Sequence, residues 1–132
     1  MESRRTPHIL VVDDDEPASR ATTRMLESLG YRSTCETQSV NALRDFSEDP
    51  DAFDCAIIEP LMPQIMGIEL AIRFRRIRPG FPVLFYGGYF DEPCCRRIEV
   101  DHLGRMAYKP LSSKELADEI RAMMRDARIP TC

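Results

Sequence analysis

Short apolar runs that read as strands alternate along this chain with longer stretches of helical periodicity, and no other feature narrows the possible folds as much. The run CAII at 55–58 is apolar at every position, as a strand covered on both faces of a sheet must be. HILVV at 8–12 is also apolar and β-branched, and it ends in Asp13-Asp14-Asp15-Glu16-Pro17, with a proline placed to open a helix. That helix is expected to carry Ala18, Ala21, Met25 and Leu29 on one face and to stop at Gly30. A strand at 31–35 and a short helix at 39–48 follow. The third strand, 53–58, passes through Pro60 and Pro63 into a helix carrying Ile68, Ala71, Ile72 and Ile77, which Pro79-Gly80 ends. Residues 81–86 form a fourth strand, Gly87-Gly88 a turn, Asp91-Glu92-Pro93 a helix start and 105–108 a fifth strand. Ser112-x-x-Glu115 has capping-box spacing, and Leu116, Ile120 and Met123 repeat helically behind it.

Five strands alternating with five helices imply right-handed crossovers and a doubly wound α/β fold, a mostly parallel sheet covered on both faces. With 132 residues, 43% of them hydrophobic, the chain suits a single domain over 1–132, its core at about 7–128. A net charge of −4 supplies no positive field for nucleic acid or anionic membrane, so neither is an expected partner. The cysteines are odd in number, five, and form no C-x-x-C pair, and no apolar segment resembles a signal peptide or membrane span. A reducing cytoplasm is the expected location.

In open sheets of this kind functional groups gather beyond the carboxyl ends of the central strands. Four segments fall there: Asp13-Asp14, Glu59, Gly87-Gly88 and Lys109-Pro110. Asp13 and Asp14 could serve only the dipole of the first helix, but that would not bring them beside Glu59 and Lys109. Lys109 is one of two lysines among 18 basic residues, so it is not surface background. Its expected role is to offset the repulsion of three carboxylates. Other features carry less. Adjacent Cys94 and Cys95 would make a strained disulfide, His8 and His102 lack ligand partners at metal spacing, and Arg73, Arg75, Arg76 and Arg78 read as a solvated face. Gly87-Gly88 lacks the longer pattern of a phosphate-cradling loop.

Taken in order, ILVVDDDEP, PLMPQIMGIEL and AYKP resemble the motifs of the receiver domains of bacterial two-component response regulators, over nearly the whole chain. The resemblance implies a flavodoxin-like sheet of strand order 2-1-3-4-5. It also implies a switch in which an acidic pair binds magnesium, an aspartate takes a phosphoryl group from a histidine kinase, and a Ser or Thr hydroxyl and a lysine hold it. On that pattern Asp13 and Asp14 are the acidic pair and Lys109 the lysine. Glu59 stands at the phosphoacceptor position, Gly87 replaces the Ser or Thr, and Met106 stands where such domains often carry an aromatic switch residue. In-line phosphoryl transfer is largely positioning, so a nucleophile displaced by one methylene, roughly 1.5 Å, loses most of its rate. Glu59 instead reaches toward the space of a phosphorylated aspartate, with one negative charge where a phosphate brings nearly two.

The expectation is therefore an atypical receiver without its own phosphorylation chemistry, not an enzyme, standing alone and signalling in a two-component or phosphorelay pathway through protein contacts. The partner would be a histidine kinase, another regulator or a second copy, docked on the fourth helix, fifth strand and fifth helix at about 93–98, 105–108 and 112–124. Two alternatives stay open: a magnesium-dependent switch phosphorylated on Glu59 or a neighbour, and a structural subunit with a relic site. Magnesium, if held, would use Asp13, Asp14 and the Leu61 carbonyl.

Overall fold

The computed structural model describes residues 6–128. Its elements run β1 His8–Val12, α1 Glu16–Ser28, β2 Arg32–Glu36, α2 Ser39–Glu48, a 3-10 turn at Pro50–Ala52, β3 Cys55–Ile58, α3 Gly67–Ile77, β4 Val83–Gly87, α4 Glu92–Val100, β5 Arg105–Tyr108 and α5 Ser113–Arg128. The strands form one parallel sheet in the order β2-β1-β3-β4-β5, as the sequence led us to expect. No described helix is long and apolar enough to cross a membrane.

Because successive strand residues point to opposite faces, β1, β3 and β4 each feed two cores. Leu10, Val12, Ala56, Ile58, Val83 and Phe85 pack against Phe46 of α2, Leu70 and Phe74 of α3 and Ile98 of α4. Phe46 is the hub of that side, its ring centroid 4.3 Å from Phe74 and 4.7 Å from Phe81. Ile9, Val11, Cys55, Ile57, Leu84 and Tyr86 pack on the other side against Leu26 of α1 and Leu116, Ile120 and Met123 of α5. Every residue of β3 and β4 is buried, which is the all-apolar strand pattern read from the other direction.

Helix ends follow the expected chemistry. The Asp15 carboxylate accepts from the Ala18 N–H and Pro17 lies in the first turn. Asp91 caps α4 in the same way through Cys94. Ser112 and Glu115 make the full reciprocal box, each accepting from the other's backbone N–H at 3.1 and 2.8 Å.

The buried face of α1 differs from the expected Ala18, Ala21, Met25, Leu29 stripe. Ser19, Thr22 and Leu26 are the buried residues, while Ala21 is exposed. The two hydroxyls are compatible with burial because they bond back to the Glu16 and Ala18 carbonyls. The arginine run on α3 is also more than a solvated face. Arg73 pairs with Glu69, whereas Arg75 donates to the Phe81 carbonyl and Arg78 to those of Pro50 and Phe53, tying the loops before β3 and β4 to the helix.

Candidate functional site at the carboxyl edge of the sheet

β1, β3 and β5 are fixed in register with their neighbours, and each ends in a residue of the site. Glu59 continues β3, its N–H donating to the Val12 carbonyl at 2.9 Å, so its side chain emerges beside Asp13. Asp13 is 4% exposed, and its N–H donates to the Glu36 carbonyl at the end of β2. Lys109 follows β5 and donates its own N–H to the Gly87 carbonyl at 2.9 Å.

These strands bring an ion triad together. The Lys109 ammonium donates to Asp13 Oδ2 at 2.6 Å and to Glu59 Oε1 at 3.0 Å, and it lies 5.6 Å from the centre of the Tyr86 ring. The remaining oxygens are also engaged. Asp13 Oδ1 accepts from the Asp15 N–H at 3.0 Å and Glu59 Oε2 from the Leu61 N–H at 3.1 Å. Burial works against the ammonium's charge, but its hydrogen bonds to Asp13 and Glu59 and their negative charges outweigh it and hold Lys109 above the ordinary lysine pKa.

Asp14 does not join. It is exposed, so the expected set of three carboxylates around Lys109 is a set of two. This division follows from backbone alternation at the strand end, which turns one aspartate in and the next out. Each Asp13 oxygen accepts one hydrogen bond from a protein donor, and the Leu61 N–H donates to Glu59. Among the described residues no group of three His, Cys, Asp or Glu stands close enough to hold a metal ion. A magnesium ion held by Asp13, Asp14 and the Leu61 carbonyl would have to share Asp13 with Lys109.

Gly87, the last residue of β4, faces Glu59 and Pro60, and Met106 is half-buried on β5 against the Phe85 side of the core. Two positions after Met106, Tyr108 is 56% exposed and meets Phe90 edge-on at 5.0 Å. Cys94 and Cys95 are both free thiols on α4. Burial first, then the charge of Asp91, push the Cys94 thiol up to about 11, which leaves it poorly reactive. His8 uses its ring nitrogens structurally, on the Ala52 carbonyl and the Thr34 hydroxyl.

Three residues of the site had no signal strong enough to single them out. Pro60 supplies a ring against Gly87. Buried Ser39, at the start of α2, donates to the Pro63 carbonyl and accepts from the Ile65 N–H, tethering the loop beyond Glu59. Glu36, beside Asp13 through its carbonyl, has its side chain against Asp45 of α2. Burial, the Asp45 hydrogen bond and the Asp45 charge push its carboxyl up to about 7, against the pull of Arg44. Only two carboxyls spaced at 36 and 45 on different elements could have hinted at that pair, and sequence spacing does not place them side by side.

A family model described as response regulator receiver domain matches residues 9–121. The response regulator receiver protein CpdR of Brucella abortus is 28% identical over 116 residues, covering 88% of this chain and 95% of CpdR. Sensor kinase CckA of the same organism is 27% identical over 116 residues, 88% of this chain but 12% of CckA. The transcriptional regulatory protein FixJ of Bradyrhizobium diazoefficiens is 30% identical over 125 residues, 91% of this chain and 58% of FixJ. This chain thus spans less than two thirds of CckA and of FixJ. Among solved structures, chemotaxis protein CheY4 of Vibrio cholerae superposes with a TM-score of 0.81 at 18% identity, covering 90% of this chain and 99% of CheY4. A CheY-like receiver domain protein of Methanospirillum hungatei reaches 0.83 at 22%, covering 93% and 97%. At those identities the likeness is one of fold.

Proposed function

This chain belongs to the response regulator receiver domain family, and we propose that within it the chain works as a phosphorylation-independent signalling module, without catalysis of its own, in a two-component or phosphorelay pathway. One observation carries the reading: the Lys109 ammonium that would meet a phosphoryl oxygen is already taken by Asp13 and by Glu59. The carboxylate supplied by the chain sits where a transferred group would arrive. It is positioned by the Leu61 N–H as well as by Lys109, so each of its oxygens is already engaged by one protein donor. An incoming phosphoryl donor would have to displace an ion pair whose side chains are 20% and 14% exposed.

Output then passes through contacts. Tyr108 at the end of β5, Val100 at the end of α4 and Tyr89 in the loop before α4 are each more than half exposed and are candidate contact residues. The similarity to the response regulator receiver protein CpdR and to a segment of the sensor kinase CckA supports a partner of the two-component type, a histidine kinase, another regulator or a second copy.

The test is intact mass after incubation with acetyl phosphate and magnesium. The unmodified mass is expected. A magnesium-dependent gain of one phosphate that disappears in Glu59→Gln would overturn the proposal and favour a switch phosphorylated at Glu59.

A further inference from the structure

Gly87 ends β4 with its Cα turned toward Glu59 and Pro60, and the room there is already filled. A Cβ built on Gly87 would stand 2.8 Å from Pro60 Cδ, 2.9 Å from Glu59 Oε2 and 3.0 Å from Pro60 Cγ. Carbon atoms at such separations are well inside contact distance, so something must shift. Neither neighbour yields easily. The Glu59 carboxylate cannot swing away without releasing Lys109 or the Leu61 N–H. Pro60 is a closed ring, and its carbonyl accepts from the Gly67 N–H at 3.0 Å where α3 begins.

We propose that Pro60 and Gly87 are positioning residues for Glu59: the proline ring and the missing side chain together select a resident carboxylate over a bound phosphoryl-type anion. The proposal deepens the reading of Glu59 as the group that occupies the site, and it rests on that reading. Gly87 is then more than the loss of a hydroxyl. Its lack of a Cβ is the space in which the carboxylate and the proline ring sit. Pro60 closes the same space from the side. Shortening Glu59 by one methylene removes one of the two obstacles and leaves the ring at 2.8 Å. Reopening the position therefore takes changes at both 59 and 60.

Gly87→Ala, introduced into the full chain in four backgrounds, separates the possibilities without any phosphoryl donor. The backgrounds are the native sequence, Glu59→Asp, Pro60→Ala, and both together. The readouts are the urea midpoint and the 15N signal of the Lys109 ammonium. In the native background the midpoint falls and the ammonium signal moves as the carboxylate is displaced. In the double background the sign reverses and alanine raises the midpoint, because glycine is the poorer residue in a strand interior once the clash is gone. The single backgrounds fall between. If Gly87→Ala fails to fold in the native background but folds in the double one, that supports the proposal equally. A drop of the same size in all four backgrounds overturns it, as does failure to fold in all four or an unmoved Lys109 signal in the native one.

A ligand arm uses beryllofluoride with magnesium. Gly87→Thr binds it in the Glu59→Asp/Pro60→Ala background and not in Glu59→Asp alone. Equal binding in both would overturn the role of Pro60. None of these results depends on whether the native protein is phosphorylated, which intact mass decides separately.

Discussion

Replacing Lys109 by methionine tests the site through charge alone. Methionine has a similar length and keeps an apolar stem near the Tyr86 ring, so the main loss is the ammonium. That loss strands two carboxylates whose side chains are only 6% and 14% exposed and which, among the described residues, have no other cation within ion-pair distance. Removing one partner of a buried ion pair costs about 3–5 kcal/mol, and a partly solvated site such as this one, with Lys109 itself 20% exposed, falls near the lower end, at about 3 kcal/mol. Against a total stability of about 5–15 kcal/mol, and a urea slope of about 1–3 kcal/mol per molar, the midpoint at neutral pH should fall by roughly 1–3 M. The pH dependence has a definite sign. In the mutant the folded state holds two facing negative charges, so it gains by binding protons, and its deficit relative to wild type is largest near neutral pH and shrinks in mild acid. In wild type the lysine pKa is raised on folding, so its contribution is complete below the ordinary value of 10.5 and is lost only as pH rises through the folded value. Urea midpoints at pH 5, 7 and 9 for both proteins measure this. Equal midpoints at pH 7 would refute the triad as a stabilising unit, and a deficit that grew toward acid would refute its electrostatic origin.

Glu59→Asp draws the carboxylate back from Lys109 but leaves the Pro60 ring in place, so by intact mass we expect phosphoryl uptake from acetyl phosphate only when Pro60→Ala is added, while the α4 amide resonances of Glu59→Asp stay in place. Full α4 displacement from this one change would contradict the role given to Gly87. Glu36→Gln removes a carboxyl pushed up to about 7 on folding, whose stabilising effect is present below the unfolded value of 4.5 and is lost as pH rises toward 7. Wild-type stability should therefore fall over that window and the variant's should fall less, the two differing by roughly 1 kcal/mol at pH 8 after allowance for solvent screening, as thermal or urea melts would show. Ser112→Ala breaks one arm of the α5 capping box and should lower stability by about 1 kcal/mol without moving the Lys109 ammonium signal.

The sequence by itself determined the strands and the ends of its helices, and its resemblance to a family implied the strand order. Strands and caps are encoded locally: a short run apolar at every position between turn signals reads as a covered strand, and Asp15, Asp91 and Ser112 satisfy N–H groups three residues away. It also determined which residues would meet, because the carboxyl ends of parallel strands share one edge, and Asp13, Glu59 and Lys109 do meet there. Tertiary structure decided what they do on meeting. Lys109 is 96 positions from Asp13 and 50 from Glu59, and which carboxylate loses its water depends on the pitch of each strand end. Asp13 turned inward and Asp14 outward for that reason. The buried hydroxyls of Ser19 and Thr22 escaped a hydrophobic periodicity because their partners are carbonyls of their own helix. The space at Gly87 belongs to a neighbouring strand's residues, Glu59 and Pro60, and a missing side chain carries no record of what fills its place until the strands are side by side.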